Sequence, residues 1–425
     1  MTAASDLLSF IDASPSPYHA VSEVATRLDA AGFVEVGGGT AGTRDAGPVG
    51  DHYVRSGGLL IAWRVRDGGP LAPRRIIGAH TDSPNLRIKP HPDLAGSGMR
   101  RLAAEPYGGA LLNSWLDRDL GVSGRVSVRE ADGTLGERLF RDDRPLLRVP
   151  QLAIHLDRDV NEKGLVLNRQ QHLNPVWGLG TPSPGDFADW LADALGVAPG
   201  AVLAWDLMCH DTLPAGLLGA DGELISAARL DNLCSTYGAV TALLDADDTD
   251  AVTVVALFDH EEIGSETATG AASPQLAMVL DRIDQAVGLD AAGRAAARAA
   301  SRFLSADMAH GTHPNYPDRH EPNHTIALGS GPVVKVNVNG RYATDSTTAG
   351  EFLAACHDAG VPTQTYAHRA DLACGSTIGP ITAARLGIPT VDVGMAQLSM
   401  HSARELMAAA DVDHMVRAFS AWLAR

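Results

Sequence analysis

Ala251-Val252-Thr253-Val254-Val255-Ala256-Leu257-Phe258-Asp259-His260-Glu261-Glu262 is the stretch that decides the fold of this chain. Its first eight residues form a near-continuous apolar run, which predicts a strand buried on both faces, as in a parallel sheet covered by helices. Two adjacent carboxylates follow, at the edge where open α/β sheets bind their ligands. Because Glu261 and Glu262 repel each other unless a cation lies beside them, a metal site is the first hypothesis.

The same alternation of strands and helices extends on both sides of this run. Residues 75–79 predict a second buried strand, which delivers His80 and Asp82 at its carboxyl end. The pattern as a whole predicts an α/β fold. Further helices and strands are predicted at 18–32, 59–65, 232–244, 274–300, 302–306, 333–338, 347–359, 362–366 and 390–393.

The middle of the chain has a different texture. Short alternating segments, such as 124–129 and 152–156, are separated by turn-rich stretches, and only the region near 186–195 has a helical pattern. This predicts a mainly β insertion at 89–225. The α/β domain is then made of two parts, 1–88 and 226–425.

Charge and composition exclude several classes of partner. The net charge is −17, from 34 Lys and Arg against 51 Asp and Glu. An acidic surface repels phosphate backbones and anionic lipids, so no nucleic-acid or membrane partner is expected. The first residues lack the pattern of a secretory signal, and the four cysteines are far apart without CxxC spacing. These features favour the cytoplasm and argue against a cysteine-based zinc site.

His80 and Asp231 are candidate ligands whose ordinary roles remain open at this stage. His80 follows a buried strand, and Asp82 is close enough in sequence to accept the hydrogen bond of its other ring nitrogen, as around metal-bound imidazoles. A single histidine is nevertheless more often an ordinary hydrogen-bonded residue. Asp231 precedes a helix, where aspartate is a favoured N-cap, and spacing alone does not separate that role from a carboxylate bridging two cations.

The acidic pair favours function more strongly, because an apolar run precedes it. One glutamate can ligate a metal while its neighbour acts as general base on water. Asp307 at a strand end and His401 at a helix start complete the set. Three ligands per zinc with one shared carboxylate requires five ligands, the number available once Glu261 is reserved as the base.

Over essentially its whole length, the sequence resembles the aspartyl aminopeptidases, which are exopeptidases with two zinc ions acting together. The ordered matches are spread along the chain, which makes the resemblance specific. They include Ser16-Pro17-Tyr18-His19-Ala20-Val21, Gly78-Ala79-His80-Thr81-Asp82-Ser83-Pro84, Tyr107-Gly108-Gly109, Trp115-Leu116-Asp117-Arg118-Asp119-Leu120, Arg229-Leu230-Asp231-Asn232, Asp259-His260-Glu261-Glu262-Ile263-Gly264-Ser265, Lys335-Val336-Asn337-Val338-Asn339, Arg341-Tyr342-Ala343-Thr344 and Met400-His401-Ser402.

The resemblance implies a zinc-exopeptidase-like mixed sheet flanked by helices, with the insertion serving as a dimerisation domain. It also implies two Zn²⁺ per chain, one position of which is expected to accept Mn²⁺ or Co²⁺ in exchange. Asp82 would accept a hydrogen bond from the ring of His80 and so hold that ligand in its orientation. The two ligand sets would be His80, Asp231 and Asp307, and Asp231, Glu262 and His401.

The remaining roles also follow from the resemblance. Glu261 would be the catalytic base, activating a water that bridges the metals. His155 of the insertion would reach a neighbouring subunit's site and stabilise the oxyanion, and its strand pattern predicts that it projects opposite to its apolar neighbours. His310, Lys335 and Tyr342 would contact substrate, although lysine is also common at exposed strand edges. The family assembles as a homo-oligomer, a dodecamer built from dimers.

The function expected from the sequence is therefore a zinc-dependent aminopeptidase that removes N-terminal Asp or Glu from peptides. Two alternatives remain open. The first is a two-zinc enzyme on the same core with neutral preference or carboxypeptidase direction. The second is a catalytically inactive scaffold of the same fold, against which the complete set of ligands and base argues.

Overall fold

The computed structural model describes residues 2–37, 49–66, 71–246, 249 and 251–425. The helices are α1 Ala3–Ala13, α2 Pro17–Ala30, α3 Val160–Lys163, α4 Asp186–Leu195, α5 Leu230–Asp245, α6 Gln275–Ala286, α7 Ala291–Ala300, α8 Ser346–Asp358, α9 Ile378–Leu386 and α10 Ala410–Leu423. The strands are β1 Val34–Glu35, β2 Gly50–Ser56, β3 Leu59–Val65, β4 Arg74–His80, β5 Asn85–Gly96, β6 Met99–Tyr107, β7 Leu120–Arg129, β8 Leu135–Leu147, β9 Val176–Leu179, β10 Val202–Asp211, β11 Gly216–Leu218, β12 Leu224–Ala227, β13 Val252–Phe258, β14 Arg302–Ala306, β15 Ala309–His310, β16 Val333–Val336, β17 Gln364–Ala367, β18 Thr390–Gly394, β19 Ala396–Leu398 and β20 Glu405–Ala408.

The chain divides into two compact units. Unit 1 comprises Met1–Asp82, Ala215–Met400 and Glu405–Arg425, and unit 2 comprises Ser83–Pro214 and His401–Arg404. These bounds differ from the 89–225 expected from the sequence, because β11 and β12 pair with β20 in a sheet of unit 1. A dimerisation role for unit 2 stays a prediction.

Unit 1 is built on a mixed sheet of nine strands, in the order β1-β2-β3-β13-β4-β14-β18-β16-β17. The four central strands β13, β4, β14 and β18 are parallel to one another. Phe258 of β13 lies opposite His80 of β4, so both strands end at the same edge of the sheet. The predicted α/β fold, with a buried parallel strand at its centre, is confirmed.

Helices cover this sheet on both faces, which explains why β13 is apolar throughout. Val255 and Leu257 pack into a core shared with α1, α2, α5, α8 and α10. Val254 and Phe258 point the other way and pack with α6 and α9. Fully burying a side chain of this size stabilises the fold by about 1.5–3 kcal/mol. An alternating polar pattern would therefore be incompatible with this position.

A second sheet of unit 1 has five strands in the order β11-β12-β20-β19-β15. Its β15 continues from the end of β14 after two residues, at Ala309–His310. Its β20 begins at Glu405, whose side chain is buried. The sheet therefore carries two polar residues of interest, His310 and Glu405.

Unit 2 is mainly β. Six antiparallel strands follow the order β8-β7-β10-β5-β6-β9. Helix α4 packs its buried Phe187 against the aromatic rings of Trp190 and Trp205, with ring centroids 5.4 and 5.5 Å apart. Such aromatic packing supplies much of the buried area in a small core.

Two secondary-structure predictions are wrong in detail. Residues 152–156 are not a strand, because Ile154–Leu156 forms a single 3₁₀ turn whose three side chains are exposed. The helix predicted at 274–300 is two helices, α6 and α7, separated at Gly288, whose φ of 78° is a left-handed conformation that favours glycine.

Among the described residues, no helix combines the length and the apolar character required to cross a membrane.

Candidate metal centre

Polar side chains follow three neighbouring parallel strands of unit 1, at the point where each strand ends. β4 ends at His80, Asp307 directly follows β14, and Glu261 and Glu262 form a 3₁₀ turn shortly after β13. This is the edge at which open α/β sheets bind ligands. The structure therefore brings four of the predicted site residues to one edge of one sheet.

The imidazole of His80 is buried among carboxylates. Its Nε2 lies 3.4 Å from Asp231 Oδ1 and 3.8 Å from Asp307 Oδ1. Both distances exceed the range of about 2.7–3.2 Å for good N–H···O hydrogen bonds. When two donor atoms bind the same tetrahedral zinc ion at about 2.1 Å each, those two atoms lie roughly 3.4 Å apart. The distance of 3.4 Å between His80 Nε2 and Asp231 Oδ1 therefore fits two ligands of one zinc ion.

Glu262 joins this pair. Ligand atoms of His80, Asp231 and Glu262 all lie within 4.8 Å of one another, and the described residues contain no second group of this kind. One imidazole nitrogen with carboxylate oxygens is a donor set that zinc accepts. The residues present therefore fit a zinc ion.

The charges around His80 also favour a cation at this position. Burial alone would lower the pKa of His80, but its interactions with Asp231, Asp307 and Asp82 raise that pKa well above the ordinary value. Carboxylates that stabilise a protonated imidazole also stabilise a divalent ion bound between them.

Asp82 organises the acidic pair as well as the histidine. His80 Nδ1 is 3.1 Å from the carbonyl oxygen of Asp82 and 3.4 Å from its Oδ1, which leaves Nε2 directed at the carboxylates. The two Asp82 carboxylate oxygens accept hydrogen bonds from the backbone N–H groups of Glu261 and Glu262, both at 3.1 Å. Asp82 therefore fixes a ring nitrogen and a turn at the same time.

The first turn of α5 positions Asp231 between the strand ends. Asn232 Nδ2 donates to the carbonyl oxygen of Ala306 at 2.8 Å, and Thr236 Oγ1 donates to the carbonyl oxygen of His80 at 2.9 Å. The backbone N–H of Asp231 donates to Glu405 Oε2 at 3.0 Å. These three bonds tie the helix to β14, β4 and β20, all within unit 1.

Glu261 has the proton affinity required of a base that also returns its proton. Desolvation raises the pKa of Glu261, the His80 charge lowers it, and the carboxylates of Asp307, Asp82 and Asp231 raise it further, to about 8. A carboxylate with a pKa this close to neutral pH can take up and release a proton in one reaction cycle. A bound cation would lower the value.

The predicted substrate residues lie beside this cluster in unit 1. Lys335 is buried, and its Nζ donates to the carbonyl oxygens of Asp307 at 2.8 Å and Met308 at 3.2 Å. The same Nζ is 5.3 Å from the centre of the Tyr342 ring. Desolvation of the ring and the Lys335 charge lower the pKa of His310 to about 4, so His310 is neutral at pH 7.

His155 and His401 belong to unit 2. His155 lies in the exposed turn at Ile154–Leu156. His401 is in the short segment His401–Arg404, and its Nδ1 is 3.1 Å from the carbonyl oxygen of Gly109. A Cβ on Gly109 would lie 3.2 Å from that nitrogen, so glycine permits the close approach. Metal binding by His401 and a catalytic role for His155 stay predictions.

The sequence did not indicate roles for Asn232, Thr236 and Glu405. The hydrogen bonds of Asn232 and Glu405 join residues 74 and 174 positions apart. No local pattern marks such contacts, and only the position of Asn232 directly after Asp231 offered a signal.

Comparison with known proteins identifies the family. A family model described as aminopeptidase I zinc metalloprotease (M18) matches residues 10–423. Probable M18 family aminopeptidase 2 of Mycobacterium leprae is 54% identical over 412 residues, which cover 96% of this chain and 95% of that protein. The protein of the same description from Streptomyces coelicolor is 50% identical, covering 98% of this chain and 96% of its own length.

Solved structures agree with this result. The chain superimposes on a chain in the cryo-EM structure of the Ape4 and Nbr1 complex with a TM-score of 0.95 and 36% identity, covering 99% of this chain and 85% of that one. For the S. cerevesiae mApe1 dodecamer the TM-score is 0.86 and the identity 27%, with coverage of 99% and 97%. The chain therefore belongs to the M18 family of aminopeptidase I zinc metalloproteases and is a metallo-aminopeptidase.

Proposed function

We propose that this metallo-aminopeptidase removes N-terminal Asp and Glu residues from peptides, with Glu261 as the general base. The observation that carries the proposal is the position of Glu261, next to the donor group of His80, Asp231 and Glu262. A base must lie close to the bound metal and must be able to take up and release a proton near neutral pH. Glu261 meets the second condition through its raised pKa.

Two zinc ions per chain are part of the proposal. His80, Asp231 and Asp307 would hold one ion, and Asp231, Glu262 and His401 the other. The buried Asp231, with its carboxylate 3.4 Å from His80 and grouped with Glu262, is suited to bridging. One position would also accept Mn²⁺ or Co²⁺, because the donors are nitrogen and oxygen without sulfur.

Bound zinc supplies a Lewis acid that polarises the scissile carbonyl and lowers the pKa of water. Glu261 takes a proton from the attacking water as the water oxygen bonds to the carbonyl carbon. The same carboxyl group then delivers that proton to the amine nitrogen as the C–N bond breaks. Asp82 keeps Glu261 and Glu262 in place through the two backbone hydrogen bonds that its carboxylate accepts.

Acidic substrates require positive charge near a site that is itself rich in carboxylates. Lys335 supplies one buried ammonium group beside Asp307, and its contact with Tyr342 keeps that aromatic ring at the same place. His310 contributes as a neutral hydrogen-bonding group, because its pKa is lowered to about 4. Together these three residues would contact the N-terminal residue of the peptide.

Turnover of Asp-, Glu- and Leu-amides tests the proposed preference. We expect kcat/KM for the acidic amides to exceed that for the Leu amide by about tenfold or more, the usual worth of a hydrogen bond to a charged group. A higher kcat/KM for the Leu amide would reject the acidic assignment in favour of a neutral preference.

His155 would act in a neighbouring subunit's site within a homo-oligomer, a dodecamer built from dimers. The yeast relative mApe1 is a dodecamer, and His155 is on an exposed turn of unit 2 where a second copy can reach it. Exposed apolar side chains flank it at Ile154 and Leu156. Such side chains are typical of surfaces that another protein covers.

The His155→Phe variant is expected to lower kcat by about 10²-fold, the cost of removing one oxyanion-stabilising group. His91→Phe is the matched control, because His91 is an exposed histidine of the same unit. Steady-state kinetics and light scattering on both variants make the comparison. An unchanged kcat in His155→Phe would contradict the shared-site role.

The cytoplasm is the proposed compartment. All four cysteines are free thiols: Cys209, Cys234 and Cys356 are buried, and Cys374 is half-buried. Unpaired cysteines are typical of proteins kept in a reducing environment.

A further inference from the structure

A cavity of about 560 Å³ lies in unit 1 between the loop at 337–341 and the segment at 367–374. Its volume is within the range of about 300–1,000 Å³ that is usual for ligand sites. Arg341, His368 and Arg369 line it, and none of its lining residues is acidic. The chain has a net charge of −17, so a cavity whose charged lining residues are all basic is unusual in it.

Arg341 presents a free guanidinium to this cavity. Its backbone is held in place, because its N–H donates to Asn337 Oδ1 at 3.4 Å and its carbonyl accepts from Ser376 Oγ at 3.1 Å. Its side chain is exposed and has no hydrogen-bond or ion-pair partner in the described part of the chain. By contrast, the guanidinium of Arg369 is paired with Asp371 at 2.7 Å.

His368 has a ring nitrogen without a partner. Its Nδ1 is 2.6 Å from the hydroxyl of Tyr366. Which of the two groups donates in this hydrogen bond depends on the ring tautomer. Nε2 is buried without an acceptor in the parts of the chain that the structure covers. A buried ring nitrogen without a hydrogen-bond partner is costly unless a ligand provides one.

The cavity adjoins the proposed substrate residues. Its lining residue Cys374 interacts with the side chain of Tyr342, whose ring lies against Lys335 Nζ. Tyr366 connects the same wall to His310, with ring centroids 6.1 Å apart. Lys335 Nζ already donates to two backbone carbonyl groups, which leaves one of its three N–H donors for an anionic substrate, so a further cation would strengthen recognition.

We propose that this cavity is a carboxylate subsite for the peptide substrate, in which Arg341 and the Nε2–H of His368 donate to the same acidic group. The inference rests on the proposed aminopeptidase function and names the residues that would determine its acidic preference. The carboxylate comes either from the side chain of the N-terminal residue or from that of the residue after the scissile bond. Both sources present the same chemistry to the cavity.

The test compares four C-terminally amidated tetrapeptides: Asp-Ala-Ala-Ala, Asn-Ala-Ala-Ala, Ala-Asp-Ala-Ala and Ala-Asn-Ala-Ala. In each pair, the peptide that contains Asp differs from the one that contains Asn only in the charge of that side chain and in one donor group. The measurement is the ratio of kcat/KM for the Asp peptide to kcat/KM for the matching Asn peptide, on the zinc-loaded enzyme. The proteins are the wild type, Arg341→Met, Arg341→Lys, His368→Phe and the control Arg385→Met, which removes an exposed arginine of the same unit.

We expect Arg341→Met to lower the ratio about tenfold or more in one of the two pairs, and that pair identifies the source of the carboxylate. Arg341→Lys should retain part of the ratio, His368→Phe should lower it, and Arg385→Met should keep the wild-type value. If the wild type prefers acidic peptides and Arg341→Met gives the same ratio, the proposed subsite is wrong and the proposed function is unaffected. Ratios near one in both pairs for the wild type overturn the acidic preference and the subsite together.

Discussion

The Glu261→Gln variant is expected to hydrolyse peptides about 10²–10⁴-fold more slowly than the wild type while binding the same amount of zinc. General-base catalysis contributes rate factors of that size, and glutamine cannot accept the proton of water. The substitution preserves the size of the side chain and the backbone hydrogen bond from Glu261 to Asp82. The donors grouped in the structure, His80, Asp231 and Glu262, are also unchanged.

Glu266→Gln is the matched control, because Glu266 is exposed and lies five residues further along the same loop. Measuring kcat and zinc content on both variants separates loss of the base from loss of the metal. Near-wild-type kcat in Glu261→Gln would rule out the assigned base. A parallel loss of zinc would instead make Glu261 a ligand.

The His80→Gln variant is expected to lose zinc and activity together. His80 is buried, with its Nε2 facing Asp231 and Asp307, and it is the one nitrogen donor of the group that the structure assembles. Substituting even outer-shell partners of a metal costs about 10–100-fold in affinity, so removal of a direct ligand should cost more. Zinc in excess should restore part of the activity, since the carboxylates remain.

His357→Gln provides the comparison, because the His357 side chain is 89% exposed. Metal analysis after dialysis, together with kcat measured at several zinc concentrations, tests the expectation. Zinc content and activity equal to those of His357→Gln would show that His80 is not a ligand.

How much of the structure can be predicted from the sequence depends on how far apart in the chain the interacting residues are. The apolar run at 251–258 predicted a central buried strand, because burial on both faces demands apolar residues throughout. The same logic placed His80 and Asp307 at strand ends, where parallel neighbours bring them together. Strand position is a local property, so a single sequence carries it.

Local rules failed where packing or turn geometry decided the outcome. Residues 152–156 alternate like a strand, but no strand among the described residues pairs with them, and Ile154–Leu156 forms an exposed turn. The alanine-rich stretch at 274–300 has helical composition throughout, yet Gly288 divides it. Helix propensity therefore predicted the correct type of element at 274–300, but it did not predict that the region forms two helices.

The supports of the site could not be predicted because they connect distant segments. Glu405 accepts a hydrogen bond from the backbone N–H of Asp231, and Asn232 donates one to the carbonyl oxygen of Ala306. Neither contact produces a periodic pattern in the sequence. Asp82 was expected to orient His80, and its hydrogen bonds to the backbone of the acidic pair emerged only from the structure. The Arg341 cavity arises in the same way, from two loops that approach each other.

A zinc-edge anomalous scattering map of crystals of this protein tests the two-metal centre most directly. We expect two peaks about 3.5–4 Å apart, the usual spacing of paired catalytic metals. One should contact His80, Asp231 and Asp307, and the other Asp231, Glu262 and His401. A single peak, or peaks away from Asp231 in crystals grown with excess zinc, would contradict the bridging carboxylate and the five-ligand site.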